Sequence, residues 1–270
     1  MTPRNDAYGG SRGRTVKGYM FFSLLHTRYS LLFLSTPEII YTDDEIIVVN
    51  KPAGLTVHGG PGIREPTLAD FLLERFPDIA GIGDDPARPG LVHRLDRDTS
   101  GVMVVARNPA AFGWLKKEFA DRRVRKTYLA FCCGVFKDKK GAVDLAIGRN
   151  ARNPRLRGVG LAGARIRGER PARTEFRVLK DADGLSFVEL HPLTGRMHQL
   201  RVHMKAIGHA VACDRLYGGQ NVCCPSGAGR QLLHAAGLSF SMEGGRGFRF
   251  EAELPADMAD VLKTFFPADV

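Results

Sequence analysis

The stretch RPGLVHRLDRDTSGVMVVARN, residues 88–108, constrains this chain more than any other. Its Asp96 stands between apolar Leu91, Val92 and Leu95 on one side and the apolar run 102–106 on the other. A carboxylate carried into core-forming sequence loses its water and needs a cation or hydrogen-bond donors in exchange. The surrounding pattern predicts strands over residues 91–95 and 102–106, bracketing a polar loop that starts at Asp96. The rest of the chain has to supply the partner.

With 270 residues, 44% of them hydrophobic, the chain can bury a large core, which excludes a disordered protein. Lys and Arg number 39 against 29 Asp and Glu, a formal +10 that suits a protein meeting polyanions. Charge alone does not separate RNA from DNA or acidic lipid. Five cysteines occur as the neighbours Cys132/Cys133 and Cys223/Cys224 plus Cys213, with no CxxC spacing and an odd count. That usage predicts unbonded structural thiols in a reducing cytoplasm and no metal centre. Residues 1–36 carry Arg4, Arg12, Arg14, Lys17 and Arg28 against the single acid Asp6, and His26 and Arg28 interrupt their apolar run before it could span a membrane. They read as a basic, poorly ordered extension to one continuous domain over 37–270, with an organelle transit peptide as the alternative.

From Pro37 the pattern is regular. Residues 39–41 and 46–50 predict a hairpin, and KPAGLTVHGGPG after it must be a loop, where Lys51 and His58 either face a phosphate or serve as ordinary loop polars. Thr67 predicts a helix cap, and Asn108 with Pro109 predicts a second helix start. Lys116, Lys117, Arg122, Arg123, Arg125 and Lys126 give that second helix and its exit a basic cluster, either a solvated face or a nucleic-acid contact. Residues 126–136, KTYLAFCCGVF, predict a central strand carrying Tyr128, and the Gly- and Arg-rich 148–173 predict a long basic loop or hairpin that grips phosphates. Residues 213–229 predict a surface loop, followed by elements at 232–240 and 248–255 and a closing helix.

LTGRMHQLRVHMKAIG predicts a helix capped by Thr194, with Met197, Leu200, Met204 and Ile207 as its buried stripe. Arg201 falls at the edge of that stripe. Either it is buried and needs a carboxylate, for which Asp96 is the natural candidate, or it snorkels to solvent.

These segments, in order, carry a resemblance. IIYTDDEIIVVNKPAGLTVHGG, GLVHRLDRDTSGVMVVARN, KTYLAFCCG, and LTGRMHQLRVHM with GHAVACDRLYGG resemble the successive motifs of the RluA-type pseudouridine synthases. Two features depart: Met197 stands where the family usually has Thr, and residues 1–36 are too short for the S4-type RNA-binding module. The resemblance implies an α+β domain built on a long, mixed and largely antiparallel sheet, with a central catalytic cleft flanked by helices. It implies isomerisation of uridine in ribosomal or transfer RNA to pseudouridine, in a flipped-out nucleotide, by a monomer that needs neither metal nor organic cofactor and meets no membrane.

By the same resemblance Asp96 is the nucleophile, Arg201 its counter-charge, and Tyr128 the ring that packs on the uracil. A guanidinium beside a carboxylate favours its charged, nucleophilic form. Arg94 is expected to stabilise the rearranged RNA, and His93, Lys51, His58, Arg196 and His198 complete the expected RNA contacts. Three rivals remain at this point. A glycosidase would pair Asp96 with Asp98, a metal-dependent nuclease would use the same two acids, and a binding module would keep the fold without the chemistry.

Overall fold

The computed structural model describes residues 36–60, 62–153, 156–160 and 166–267. Nearly all of the N-terminal extension, residues 1–35, lies outside the described residues. Two antiparallel strands, β1 (Glu38–Thr42) and β2 (Ile46–Lys51), open the domain, with Asp43 Oδ1 accepting the Glu45 and Ile46 amides to close the turn. β2 pairs with β3 (Ser100–Ala106), all seven residues of which are buried. Such a strand must be covered on both faces. Ile47, Val49, Met103 and Val105 pack under helix α1 (Leu68–Arg75), while Ile46, Val48, Val102 and Val104 pack under α2 (Pro109–Ala120). Fully burying each such aliphatic side chain contributes roughly 1.5–3 kcal/mol. Both helices start where expected. Thr67 and Asp70 form a reciprocal capping box, and Asn108 accepts the Ala111 amide ahead of Pro109.

The chain continues through β4 (Arg125–Cys133), β5 (Lys140–Asp144), β6 (Ile147–Asn150), β7 (Arg157–Val159), β8 (Ile166–Arg170), β9 (Arg173–Ala182) and β10 (Leu185–Pro192). Then follow α3 (Gln199–Ala206), the single turn α4 (Arg215–Gly218), β11 (Leu233–Ser241), β12 (Gly247–Glu251) and α5 (Ala256–Phe265). The main sheet runs β1-β2-β3-β11-β4-β10-β9-β5, with β12 beside β11, and β7-β6-β8 form a small second sheet. The expected α+β class and largely antiparallel sheet hold. Of the two alternatives for residues 148–173 the hairpin holds among the described residues: β6 pairs antiparallel with β7 and β8, which satisfies the backbone groups of those strands in a small sheet.

β3 and β11 are the parallel neighbours in this sheet, through His234 opposite Ser100 and Ala235 opposite Gly101. The approach is close. A Cβ on Gly101, whose φ is +120°, would lie 2.2 Å from the Ala235 carbonyl oxygen, so only glycine fits. The expected strand over 91–95 is absent, reduced to one bridge between Leu91 and Val105. Gly90 at φ +66° turns the chain tightly against Ala106, and the segment after it runs as a loop over the start of β3.

Candidate active site

That loop delivers Asp96. It is held from several sides. The Arg97 carbonyl accepts from the Gly54 amide at 3.0 Å and from Lys51 Nζ at 2.9 Å, and Arg230 Nη1 donates to the Asp98 carbonyl at 3.0 Å. Gln231 donates to Thr99 Oγ1, and Ser100 Oγ meets His234 Nδ1 at 2.9 Å. Arg230 is itself clamped to Asp257 of α5. Asp98 organises this turn through its carbonyl and does not line the cavity with Asp96, as a two-carboxylate glycosidase would need.

Arg201 is 6% exposed and donates from Nη1 to Asp96 Oδ2 at 2.8 Å. Burial of the guanidinium, not snorkelling, is what its place on the helix produces. The sequence reading missed its stronger partner. Asp214, 2% exposed, takes Arg201 Nε on Oδ2 at 2.7 Å and Nη2 on Oδ1 at 2.8 Å. Burial opposes the charge on Arg201, but the bonds and charges of the two carboxylates outweigh it and raise the guanidinium above its ordinary range. Its cationic face lies 5.0 Å from the Tyr217 ring centroid.

Asp96 lines a cavity of about 570 Å³, and its Oδ1 accepts no hydrogen bond among the described residues. Tyr128, on β4, lines the same cavity. Its hydroxyl has no partner among the described residues, and burial, then the Asp96 charge, push the phenol upward, so it stays protonated. His198 sets Nε2 3.8 Å from Asp96 Oδ1. The Tyr217 hydroxyl accepts the Arg157 amide at 3.0 Å and has its own proton for His198 Nδ1 at 2.7 Å, which leaves the other ring nitrogen carrying hydrogen toward Asp96. Burial keeps this imidazole below its usual value, hence neutral.

Several expected positions need correction. The helix begins at Gln199 rather than behind Thr194, because His198 takes a left-handed φ of 58° at the cap. Thr194 instead donates to Gln199 Oε1, and Met197 is outside the helix and 42% exposed. Lys51 cannot face a phosphate: it is fully buried and donates to the carbonyls of Pro52, Leu55 and Arg97. Burial pushes it down to about 7, and the three short bonds to carbonyls, which take all three protons of the ammonium, oppose that fall. His93 is half-buried and lines the cavity, with its ring spent on the Val104 amide and stacked on Phe119, and desolvation holding it down to about 3. His58 is 8% exposed; Nδ1 bonds the Gly59 carbonyl and Nε2 accepts from Arg94. Arg94 is exposed at the cavity edge, and Arg196 lines the cavity half-buried.

The cysteines also depart. Cys133–Cys223 and Cys213–Cys224 are disulfide-bonded and Cys132 is free and buried. The odd count hid two pairs: Cys133 meets Cys223 because β4 ends beside the 213–224 segment, and Cys213 meets Cys224 within that segment. Free thiols therefore lend no support to a reducing compartment. Residues 213–229 are not all surface loop either, since Cys213 and Asp214 are buried.

A mixed, largely antiparallel sheet with an aspartate and an arginine paired in a cavity is the arrangement the comparisons assign to a family. Residues 45–206 match the family described as RNA pseudouridylate synthase, and this chain belongs to that family, with the motifs of its RluA-type members. It is 39% identical over 233 residues to ribosomal large subunit pseudouridine synthase D of Zymomonas mobilis subsp. mobilis, covering 84% of this chain and 72% of the relative. It is 40% identical over 205 residues to an uncharacterized RNA pseudouridine synthase of Synechocystis sp., covering 75% of this chain but 60% of that relative's length. Among solved structures it is similar to human RNA pseudouridylate synthase domain containing 1, with a TM-score of 0.66 at 31% identity over 81% of this chain and 83% of that one.

Proposed function

We propose that this protein isomerises uridine in RNA to pseudouridine, with Asp96 as nucleophile. The observation that carries the reading is the unequal treatment of the two Asp96 oxygens. Oδ2 is held by Arg201, and Oδ1 accepts no hydrogen bond among the described residues while Asp96 lines the cavity. A nucleophile needs one free lone pair on a carboxylate that cannot rotate away. The flipped nucleotide enters the cavity, the N1–C1′ bond breaks, the base turns, and C5 bonds to C1′. C5 gives up a proton and N1 gains one, so nothing is consumed. Tyr128 offers the uracil a ring face and an unspent hydroxyl, and the fixed Arg201 charge spares the site reorganisation as charge shifts.

The relatives' names make large-subunit ribosomal RNA the first substrate to test, and the cytoplasm, where that RNA is made, is the compartment we infer. The experiment is a comparison of pseudouridine maps of total RNA with and without the gene, complemented by wild type or Asp96→Asn. Restoration of the lost positions by wild type alone is expected. Product from Asp96→Asn above background overturns the assignment.

A further inference from the structure

The acids and bases around the cavity do not balance. Its lining holds one carboxylate, Asp96, already matched by Arg201, yet it also holds Arg94, Arg122, Lys126 and Arg196. Arg94 is spent on His58. The other three come from separate segments, the exit of α2, strand β4 and the turn before α3, and none has a carboxylate partner among the described residues. Lys126 reaches no more than the Thr194 carbonyl at 3.4 Å, and Arg196 no more than the Pro171 carbonyl at 3.3 Å.

Cations gathered without acids repel one another, an arrangement that costs stability unless an anion completes it. The repulsion is visible. Burial, then the charges of Arg170 at the end of β8 and of Arg122, lower the Arg196 guanidinium. Arg122 carries a second cost. It sits just past the cap of α2 at a left-handed φ of 60°, where glycine is usual, and its side chain has no hydrogen bond among the described residues to explain the choice.

Arg122 and Lys126 also line a second groove of about 990 Å³ that runs on over β4, β11 and β12 and carries Glu175, Glu189 and Glu251, so these two cations stand where cavity and groove meet, with Arg196 on the cavity side. Leu193 and Met197, each 42% exposed, line the cavity and give bases an apolar surface beside the charges. We propose that Arg122, Lys126 and Arg196, extended by Arg170, form a phosphate clamp at the cavity mouth that grips the RNA backbone beside the flipped uridine and leads the strand into the groove. The clamp rests on the reading of the cavity as a uridine site and adds the path of the strand.

The test is fluorescence anisotropy of fluorescein-labelled octauridylate from about 50 to 250 mM KCl, with melting curves as a folding control. Removing a phosphate contact lowers the slope of log affinity against log salt by about 0.7 per charge for single strands. Arg122→Gln and Arg196→Gln should each bind about five- to tenfold more weakly at low salt and lose that increment, while Arg122→Lys keeps it. Lys180→Gln, on the exposed side of β9, should match wild type. An unchanged slope in the Arg122→Gln/Lys126→Gln/Arg196→Gln protein, or an equal fall with Lys180→Gln, overturns the clamp. Either result leaves the Asp96→Asn outcome standing, and product from Asp96→Asn would sink the catalytic reading without touching the salt slopes.

Discussion

Asp214 occupies Nε and Nη2 of Arg201 at 2.7 and 2.8 Å, which leaves Nη1 as the edge presented to Asp96. One carboxylate thus aims the cation at another. Asp214→Asn should therefore cost roughly 3–5 kcal/mol of stability, because it unbalances a buried pair, and should lower kcat more than KM. Arg201→Lys should do the same, since an ammonium cannot fork to Asp214 while also reaching Asp96. Single-turnover assays with urea melts decide it: a variant of normal stability and normal kcat would show that Asp214 merely fills space.

Gly101→Ala is expected to destabilise the domain by about 3 kcal/mol or more. The new methyl would collide with the Ala235 backbone, and its φ of +120° strains any side chain. Because the clash lies five residues from Asp96, surviving protein should be poorly active. Thermal melting reads the first effect, and an unchanged midpoint would contradict the close approach.

Two desolvated histidines, buried His234 and half-buried His93, predict acid lability. Burial is the main force holding His234 down to about 4 and His93 down to about 3. Unfolded, each takes up a proton near 6.5. Between about 4 and 6.5 the unfolded state binds more protons, so stability present above 6.5 falls as pH drops, by up to about 1.4 kcal/mol per unit per histidine. Urea midpoints from pH 7 to 4.5 should show this slope, and His234→Asn should be flatter. Equal slopes would refute the assignment for His234.

Reduction of the two disulfides should loosen the segment that carries Asp214. Each cross-link contributes about 2–4 kcal/mol in the chain-entropy account, the longer loop more. Excess dithiol should lower the melting temperature by roughly 5–10 °C and reduce kcat as Arg201 loses its anchor. A melting temperature indifferent to dithiol would mean that Cys133–Cys223 and Cys213–Cys224 contribute nothing.

The pairing of Asp96 with Arg201 was legible because two apolar patterns each carried one charge into the core, and opposite charges in that position need each other. Asp214 was not, since it follows Cys213 in a turn-rich stretch whose composition reads as surface. Its one local signal is the helical turn it caps, accepting the Tyr217 amide. Lys51 was misread although alternation pointed inward, for Ile47 and Val49 precede it on one face of β2. His198 was named only as an RNA contact; its place beside Asp96 was not legible, because a left-handed residue without glycine leaves no mark in the sequence. The hairpin, both capped helices and the closing helix were legible from their turn and cap residues, whose effects are local.

The parallel seam between β3 and β11 joins residues more than 130 positions apart, and the Asp96 loop is pinned across it by Arg230. Its counter-charge lies 105 residues beyond it in sequence. A ribosome that has released only the first two hundred residues has made the carboxylate but neither the cation opposite nor the strand that seats it. Loop closures of that length come late in folding. The nascent chain consequently lacks the paired Asp96–Arg201 pocket until almost all of these segments are out, and the pocket forms in one step with the finished sheet.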